Sequence, residues 1–337
     1  MRIILDGMGG DNAPGEIVKG AVLASKNIEH KIVIIGNEDN INSELNKHEY
    51  NQEKITVINA TEQINNEEAP VKAVRTKKDS SIVKGLNMIK AGEGDVFVSA
   101  GSTGALLAGG LFILGRIQGI DRPAIATIYP MLGHEPALLV DAGANSECKP
   151  NNLLEFGTMG SIYMEKVIGR ERPRVGLVNN GIEEGKGSTL TKAAYELFDK
   201  SHLNFIGNVE AREVPRGACD VIVTDGFTGN VILKLSEGLA LTMLKEIKKR
   251  FTDGNLAKIG AALLQKKLRG LKEEFDYSEY GGAPILGVKG GIIKMHGSSD
   301  AKAVMNAIYR AIPYIEGNVV ETIQNSVLEI EEILISE

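Results

Sequence analysis

The chain has no tryptophan, and aromatic residues fill only 5% of its 337 positions. So few stacking rings, with a net charge of −6, argue against a binder of nucleic-acid bases or backbones. Cys148 and Cys219 stand far apart with no metal-ligand spacing, which fits a reducing compartment and no metal site. Long apolar runs are lacking too: the longest, Gly104 to Gly115, is too short to cross a bilayer. The chain opens directly on a predicted strand, Arg2 to Leu5, so no signal peptide is expected and the cytoplasm is the expected location.

The familiar nucleotide and nucleophile signatures are missing as well. After the first strand, Gly7-Met8-Gly9-Gly10-Asp11-Asn12 places Asn12 where a dinucleotide fingerprint needs its third glycine. The run Asn179 to Ser188 resembles a P-loop, but its glycine spacing is one short and Gly187 replaces the hydroxyl residue after Lys186. There is no G-x-S-x-G elbow and no His-Cys pair at motif spacing.

What is present is a long alternation of short apolar strands and helices, with 39 glycines and 43% hydrophobic residues. That pattern predicts an α/β protein with a large core and many tight turns. Asp95 to Gly115 is its clearest unit: a β-branched strand, then Ser99-Ala100-Gly101-Ser102-Thr103-Gly104, then an apolar helix from Ala105. A strand that turns on small residues into a helix leaves unpaired N–H groups and two hydroxyls ready for an anion, or simply for capping that helix. Asp220 to Asn230 repeats the design, with a helix expected from Val231 to about Arg250. Both turns are expected on one edge of the sheet, where α/β proteins bind ligands.

Other residues stand in similar settings. Asp6 and Asp11 bring carboxylates to a strand end, where they would orient a lysine, hold a metal or cap the next helix. Lys186 sits between glycines ahead of a helix over Thr189 to Asp199, within reach of an anion. His296 follows the strand Ile292 to Met295 and precedes small residues. The Lys-rich stretch from Glu62 to Lys78 reads as a solvated face.

Charge is inverted in one place. Between Lys245 and Lys272 nine basic residues face two acids, a local +7 in an acidic chain. From Asn255 onward Leu256, Ile259, Leu263 and Leu268 keep helical spacing beside Lys266, Lys267 and Arg269. Residues 231–275 therefore read as a protruding basic amphipathic helical segment that contacts a lipid surface, an acidic protein, or merely a neighbouring helix.

Taken together, D-G-M-G-G-D at Asp6, S-A-G-S-T-G-A at Ser99, D-A-G-A-N at Asp141, N-N-G-x-E-x-G-K-G at Asn179 and G-N-V-E at Gly207 resemble one family. V-T-D-G-F-T-G-N at Val223, G-G-A-P-x-L-G at Gly281 and H-G-S-S at His296 complete the set. The chain resembles the bacterial phosphate acyltransferases along nearly its whole length, departing at Ser102, where Asn is expected, and Ala211, where Gly is expected.

That resemblance implies a homodimeric three-layer αβα fold with a largely parallel mixed sheet, like the isocitrate/isopropylmalate dehydrogenases and phosphotransacetylases. It implies one catalytic unit over residues 1–337, as one body or as two lobes around a cleft, with no cofactor and no metal. The implied reaction joins the acyl group of acyl-acyl carrier protein to inorganic phosphate, giving acyl-phosphate for phospholipid synthesis. The implied catalytic set is Lys186, His296, Asp225, Asp6 and Asp11. Ser99, Gly101, Ser102, Thr103, Gly104, Asn145, Asn180, Thr228 and Asn230 would bind substrate. Leu256, Ile259, Leu263, Lys266, Lys267, Leu268 and Arg269 would touch membrane or carrier, or a membrane-bound glycerol-phosphate acyltransferase. The competing readings are a metal- or NAD-dependent dehydrogenase of the same broad fold and a non-catalytic membrane-associated scaffold.

Overall fold

A computed structural model describes residues 1–131, 133–252, 264, 270 and 280–336. Its strands are β1 (Arg2–Asp6), β2 (Lys31–Gly36), β3 (Ile55–Asn59), β4 (Val96–Ser99), β5 (Ala124–Tyr129) and β6 (Ala137–Val140). They continue with β7 (Val175–Asn179), β8 (Phe205–Glu210), β9 (Val221–Val223), β10 (Ala283–Leu286) and β11 (Gly291–Lys294). All join one sheet in the order β3-β2-β1-β4-β11-β10-β5-β6-β9-β7-β8.

The helices are α1 (Gly15–Ser25), α2 (Glu38–Leu45), α3 (Pro70–Thr76), α4 (Ser81–Lys90) and α5 (Thr103–Gly109). They continue with α6 (Pro150–Tyr163), α7 (Thr189–Asp199), α8 (Gly226–Phe251), α9 (Ala301–Glu316) and α10 (Val319–Ser336).

Strand alternation sorts the core into layers. Ile4, Phe97, Ile125, Leu139, Ile222 and Ile292 face one side, where α3, α4 and α5 supply Val74, Leu86 and Leu106. On the other side Ile3, Leu5, Ile34 and Val98 pack on α1 and α9. Further along that side Val140, Leu177, Val221 and Val223 pack on α6, α7 and the start of α10. The result is a mixed α/β fold with helices on both faces of a mostly parallel sheet.

Several elements differ from expectation. Pro70 starts a short helix inside the Lys-rich stretch, because its missing N–H costs nothing at the first helical position, and Ala73 and Val74 are buried there. Helix α8 begins at Gly226 rather than Val231, since Asp225 caps it by accepting the Thr228 N–H at 2.9 Å. The second helical stretch, with Leu256, Ile259, Leu263, Lys266, Lys267, Leu268 and Arg269, lies outside the described residues.

The expected common edge for the two strand-to-helix turns is overturned. Between β4 and β9 the sheet reverses direction three times, at the antiparallel pairs β11–β10, β10–β5 and β5–β6. An odd number of reversals makes β9 run opposite to β4, so the two turns leave by opposite edges. Helix α8 repairs the separation by running back alongside β5. Its Gly226 N–H donates to Asn145 O at 2.8 Å near the start of that strand, and its Ser236 hydroxyl meets the Tyr129 hydroxyl at 2.8 Å at the end.

Candidate active site

The first half of the sheet presents a braced pair of loops. Asp6, fully buried at the end of β1, accepts the Ser99 hydroxyl through Oδ2 at 2.6 Å and the Met8 N–H through Oδ1 at 3.1 Å. Ser99 Oγ in turn accepts the Gly101 N–H at 2.9 Å. The loops lie so close that a Cβ on Gly9 would sit 2.4 Å from Asp6 Oδ2 and 2.6 Å from Gly101 N, which only glycine avoids. Burial pushes the Asp6 carboxyl above its ordinary range, opposed by hydrogen bonds from Ser81, Ser99, Met8 and Gly9.

Asp141 performs the same task in the second half, at the end of β6. It is fully buried and accepts N–H groups from Ile125, Gly143, Ala144 and Asn145 at 2.7–3.1 Å. Burial pushes it up too, against those bonds. Asn145 braces it by donating from Nδ2 to Asp141 Oδ2 at 2.9 Å and to Pro123 O at 2.8 Å.

Between these halves, under α8, lies a cavity of about 620 Å³. Its polar walls include Thr103 at the start of α5, Asn230 and Lys234 on α8, and Lys294 and His296 at the end of β11. Ile125, Ile128, Leu233, Ala240 and Leu244 supply apolar wall. The size and mixed lining suit a small-molecule site.

Lys294 and Lys234 were missed in the sequence. Lys294 is the charged end of an otherwise apolar strand, one residue from Met295, and that position was its only signal. Its Nζ donates to Met295 O, and burial pushes its amine down to about 8. The Asp6 and Asp11 charges oppose that shift and Lys234 adds to it. Lys234 is exposed and pairs with Glu237 at 3.0 Å.

His296 is exposed at the cavity, and its Nδ1 accepts the Ser298 N–H at 3.2 Å with the Ser298 hydroxyl at 2.8 Å. An accepting Nδ1 puts the proton of the neutral ring on Nε2. Asp11 is exposed, and its N–H donates to Gly297 O at 2.7 Å, joining the loop after β1 to the loop after β11.

Thr103, Asn230 and His296 are thus brought together, and the other expected residues are placed off this wall. Ser102 caps α5, accepting the Ala105 N–H at 3.4 Å, and Gly104 leaves room for Pro70. Thr228 donates its hydroxyl to Asp225 Oδ2 at 2.8 Å, so both belong to the cap of α8. Asn180 and Lys186 are exposed on the loop after β7. That loop is pinned by Asn179, whose Nδ2 donates to Lys186 O at 3.1 Å, and by Asn208, whose Nδ2 donates to Glu183 O at 2.9 Å.

Neither thiol competes as a nucleophile: burial pushes Cys148 up to about 11 and Cys219 up to about 12, and neither lines the cavity. Among the described residues no cluster of three or more metal-ligating side chains occurs, and no helix is long and apolar enough to cross a membrane.

Residues 1–322 match the family model described as "Fatty acid synthesis protein". The phosphate acyltransferase of Alkaliphilus oremlandii is 55% identical over 97% of this chain and 97% of its own. Among solved structures, a phosphotransacetylase from Streptococcus pyogenes superposes with a TM-score of 0.61 at 16% identity, covering 95% of this chain and 94% of that one. A 4-hydroxythreonine-4-phosphate dehydrogenase from Klebsiella pneumoniae follows at 0.50 and 11%, covering 95% and 99%, so the fold is shared with proteins of different chemistry. At its level of sequence identity the full-length match decides the matter: the chain belongs to the phosphate acyltransferases and is an acyltransferase of fatty-acid and phospholipid synthesis.

Proposed function

We propose that this enzyme transfers the acyl group of acyl-acyl carrier protein to inorganic phosphate, releasing acyl-phosphate and the free carrier thiol. The observation that carries this reading is the cavity itself, which sets cationic and hydroxyl or amide side chains against apolar wall. Phosphate would be held by Thr103, the first turn of α5, Asn230 and Lys234, beside a thioester carbonyl. With both thiols held protonated, direct attack by phosphate is the simplest path. His296 Nε2–H faces the role of oxyanion donor. Asp6 and Asp11 orient the cationic groups, Asp225 sets the start of α8, and Lys186 would meet an anionic group from outside this cavity.

The wider assembly belongs to the same reading. Phe227, Val231, Leu235, Leu239 and Met243 recur every fourth residue along α8 and are 48–68% exposed in the single chain. Such a stripe on one long helix suits a two-fold contact with a second copy, a homodimer. Lys245, Lys248, Lys249 and Arg250, exposed near the end of α8, open the basic segment proposed to meet the membrane or the carrier protein. The dehydrogenase alternative shares only the fold.

The deciding experiment incubates purified protein with acyl-acyl carrier protein, with and without phosphate. Phosphate-dependent appearance of free carrier thiol and of hydroxylamine-reactive acyl-phosphate is expected. Thiol release that ignores phosphate would overturn the reading.

A further inference from the structure

We propose that Lys294 is the general acid of the reaction, giving its proton to the departing sulfur. The proposal rests on the functional reading above and adds to it a residue that no sequence motif singled out. Three observations place the lysine there. It is the only charged residue of β11, and its backbone is fixed between β4 and β10 by pairing with Ser99 and Ala283. It opens onto the cavity wall beside His296 and opposite α8. Its ammonium has three donors, one of which goes to Met295 O, leaving two for substrate.

The charged groups that act on it are Asp6 at the end of β1, Asp11 from the following loop and Lys234 from α8. Two acids and one base leave the amine charged at neutral pH, while burial holds its value down to about 8. A thiol leaving group has a similar proton affinity, and acids matched in this way transfer protons efficiently. Lys234, by contrast, is exposed and paired with Glu237.

The step balances. A phosphate oxygen of hydrogen phosphate forms a bond to the carbonyl carbon, and the C–S bond breaks with its electron pair going to sulfur. Lys294 Nζ gives its proton to that sulfur, producing the carrier thiol and a neutral amine. The proton carried in by hydrogen phosphate leaves the more acidic acyl-phosphate and recharges the lysine through solvent.

The test compares Lys294→Met and Lys294→Arg with the wild type, each checked for fold by circular dichroism and thermal melting. Two donors are used with phosphate: the acyl carrier thioester, and a thiophenyl ester of the same acyl chain, whose thiolate leaves without a proton. On the carrier thioester both variants are expected to lose roughly 10²–10⁴-fold in kcat, the range of general acid catalysis. Wild-type kcat/KM should fall above pH 8, and that alkaline limb should vanish in Lys294→Met. On the thiophenyl ester the deficit should shrink at least tenfold. Rescue of the carrier reaction by Lys294→Arg would overturn the proposal, because arginine keeps the charge but does not release a proton. An unmoved alkaline limb in Lys294→Met would overturn it as well, whatever the thiophenyl ester does. A wild-type enzyme that releases no thiol under phosphate would instead overturn the functional reading beneath it.

Discussion

The Ser99 hydroxyl donates to Asp6 Oδ2 at 2.6 Å, tying the end of β4 to the end of β1 beneath the candidate site. Both residues are fully buried, so this bond sets the start of the 99–104 turn rather than touching substrate. The Asp6 charge also raises the Lys294 amine. Asp6→Asn removes that support, so the alkaline limb of kcat/KM is expected to move to lower pH. A purely structural role would lower kcat/KM with the limb in place. Ser99→Ala, which keeps the carboxylate, should disturb the turn and leave the limb nearer its wild-type position.

Thr103 and Asn230 reach the cavity from opposite halves of the sheet. If they hold phosphate, Thr103→Val and Asn230→Ala should raise the phosphate KM more than the acyl-donor KM. Where a lost donor also contacts the developing oxyanion, transition-state stabilisation should fall by about 2–4 kcal/mol. Steady-state kinetics with phosphate varied would reject this placement if both folded variants kept the wild-type phosphate KM.

Ser298 lies 2.8 Å from His296 Nδ1 and has the superficial look of a nucleophile–base pair. Its own N–H reaches the same nitrogen at 3.2 Å, which marks a local loop closure. Ser298→Ala is therefore expected to keep turnover within about tenfold, with no acyl-enzyme detectable by mass spectrometry in the wild type. An acylated Ser298 would replace direct attack by a two-step path.

The outward stripe on α8 predicts the assembly. Leu235 is 68% and Leu239 57% exposed, too much apolar surface in one row to leave in water without a purpose. Leu235→Glu should halve the mass measured by light scattering while the helix content stays the same. A wild type that is already monomeric at micromolar concentration would remove the stripe from the dimer reading.

Glu155 gives a pH test of stability away from the site. Burial pushes its carboxyl up to about 7, the Asp121 charge adds to this, and the N–H groups of Asp121 and Arg122 oppose it. A folded value above the unfolded one means its contribution is present at low pH and is lost as pH rises through about 7. Glu155→Gln should thus stabilise the protein at pH 8, by up to about 3 kcal/mol, and give little or nothing at pH 5. Thermal melts at both values check it; equal effects at the two would refute the shift.

Much of this protein was legible in its residues taken in order. Short β-branched runs such as Ile32 to Ile35 and Val96 to Val98 marked buried strands, because a strand covered on both faces has no place for polar side chains. Ser102 caps α5, one of the two uses its turn allowed, whereas the Asp225 cap that starts α8 at Gly226 was not read from the residues. The motif set alone sufficed for the family, since its order along the whole chain leaves little to chance. Tertiary structure decided three things that spacing does not encode. Strand direction was one: the two antiparallel pairings of β10 cancel, and the antiparallel β5–β6 pairing is what sets β6 and β9 opposite to β4. The use of each polar residue was another, because Thr228 and Asn145 look free in a sequence and are bound to Asp225 and Asp141 in the fold. The last was Lys294, an ordinary strand-end lysine until burial pushed its amine down to about 8 against the opposing charges of Asp6 and Asp11, which only the fold brings near it.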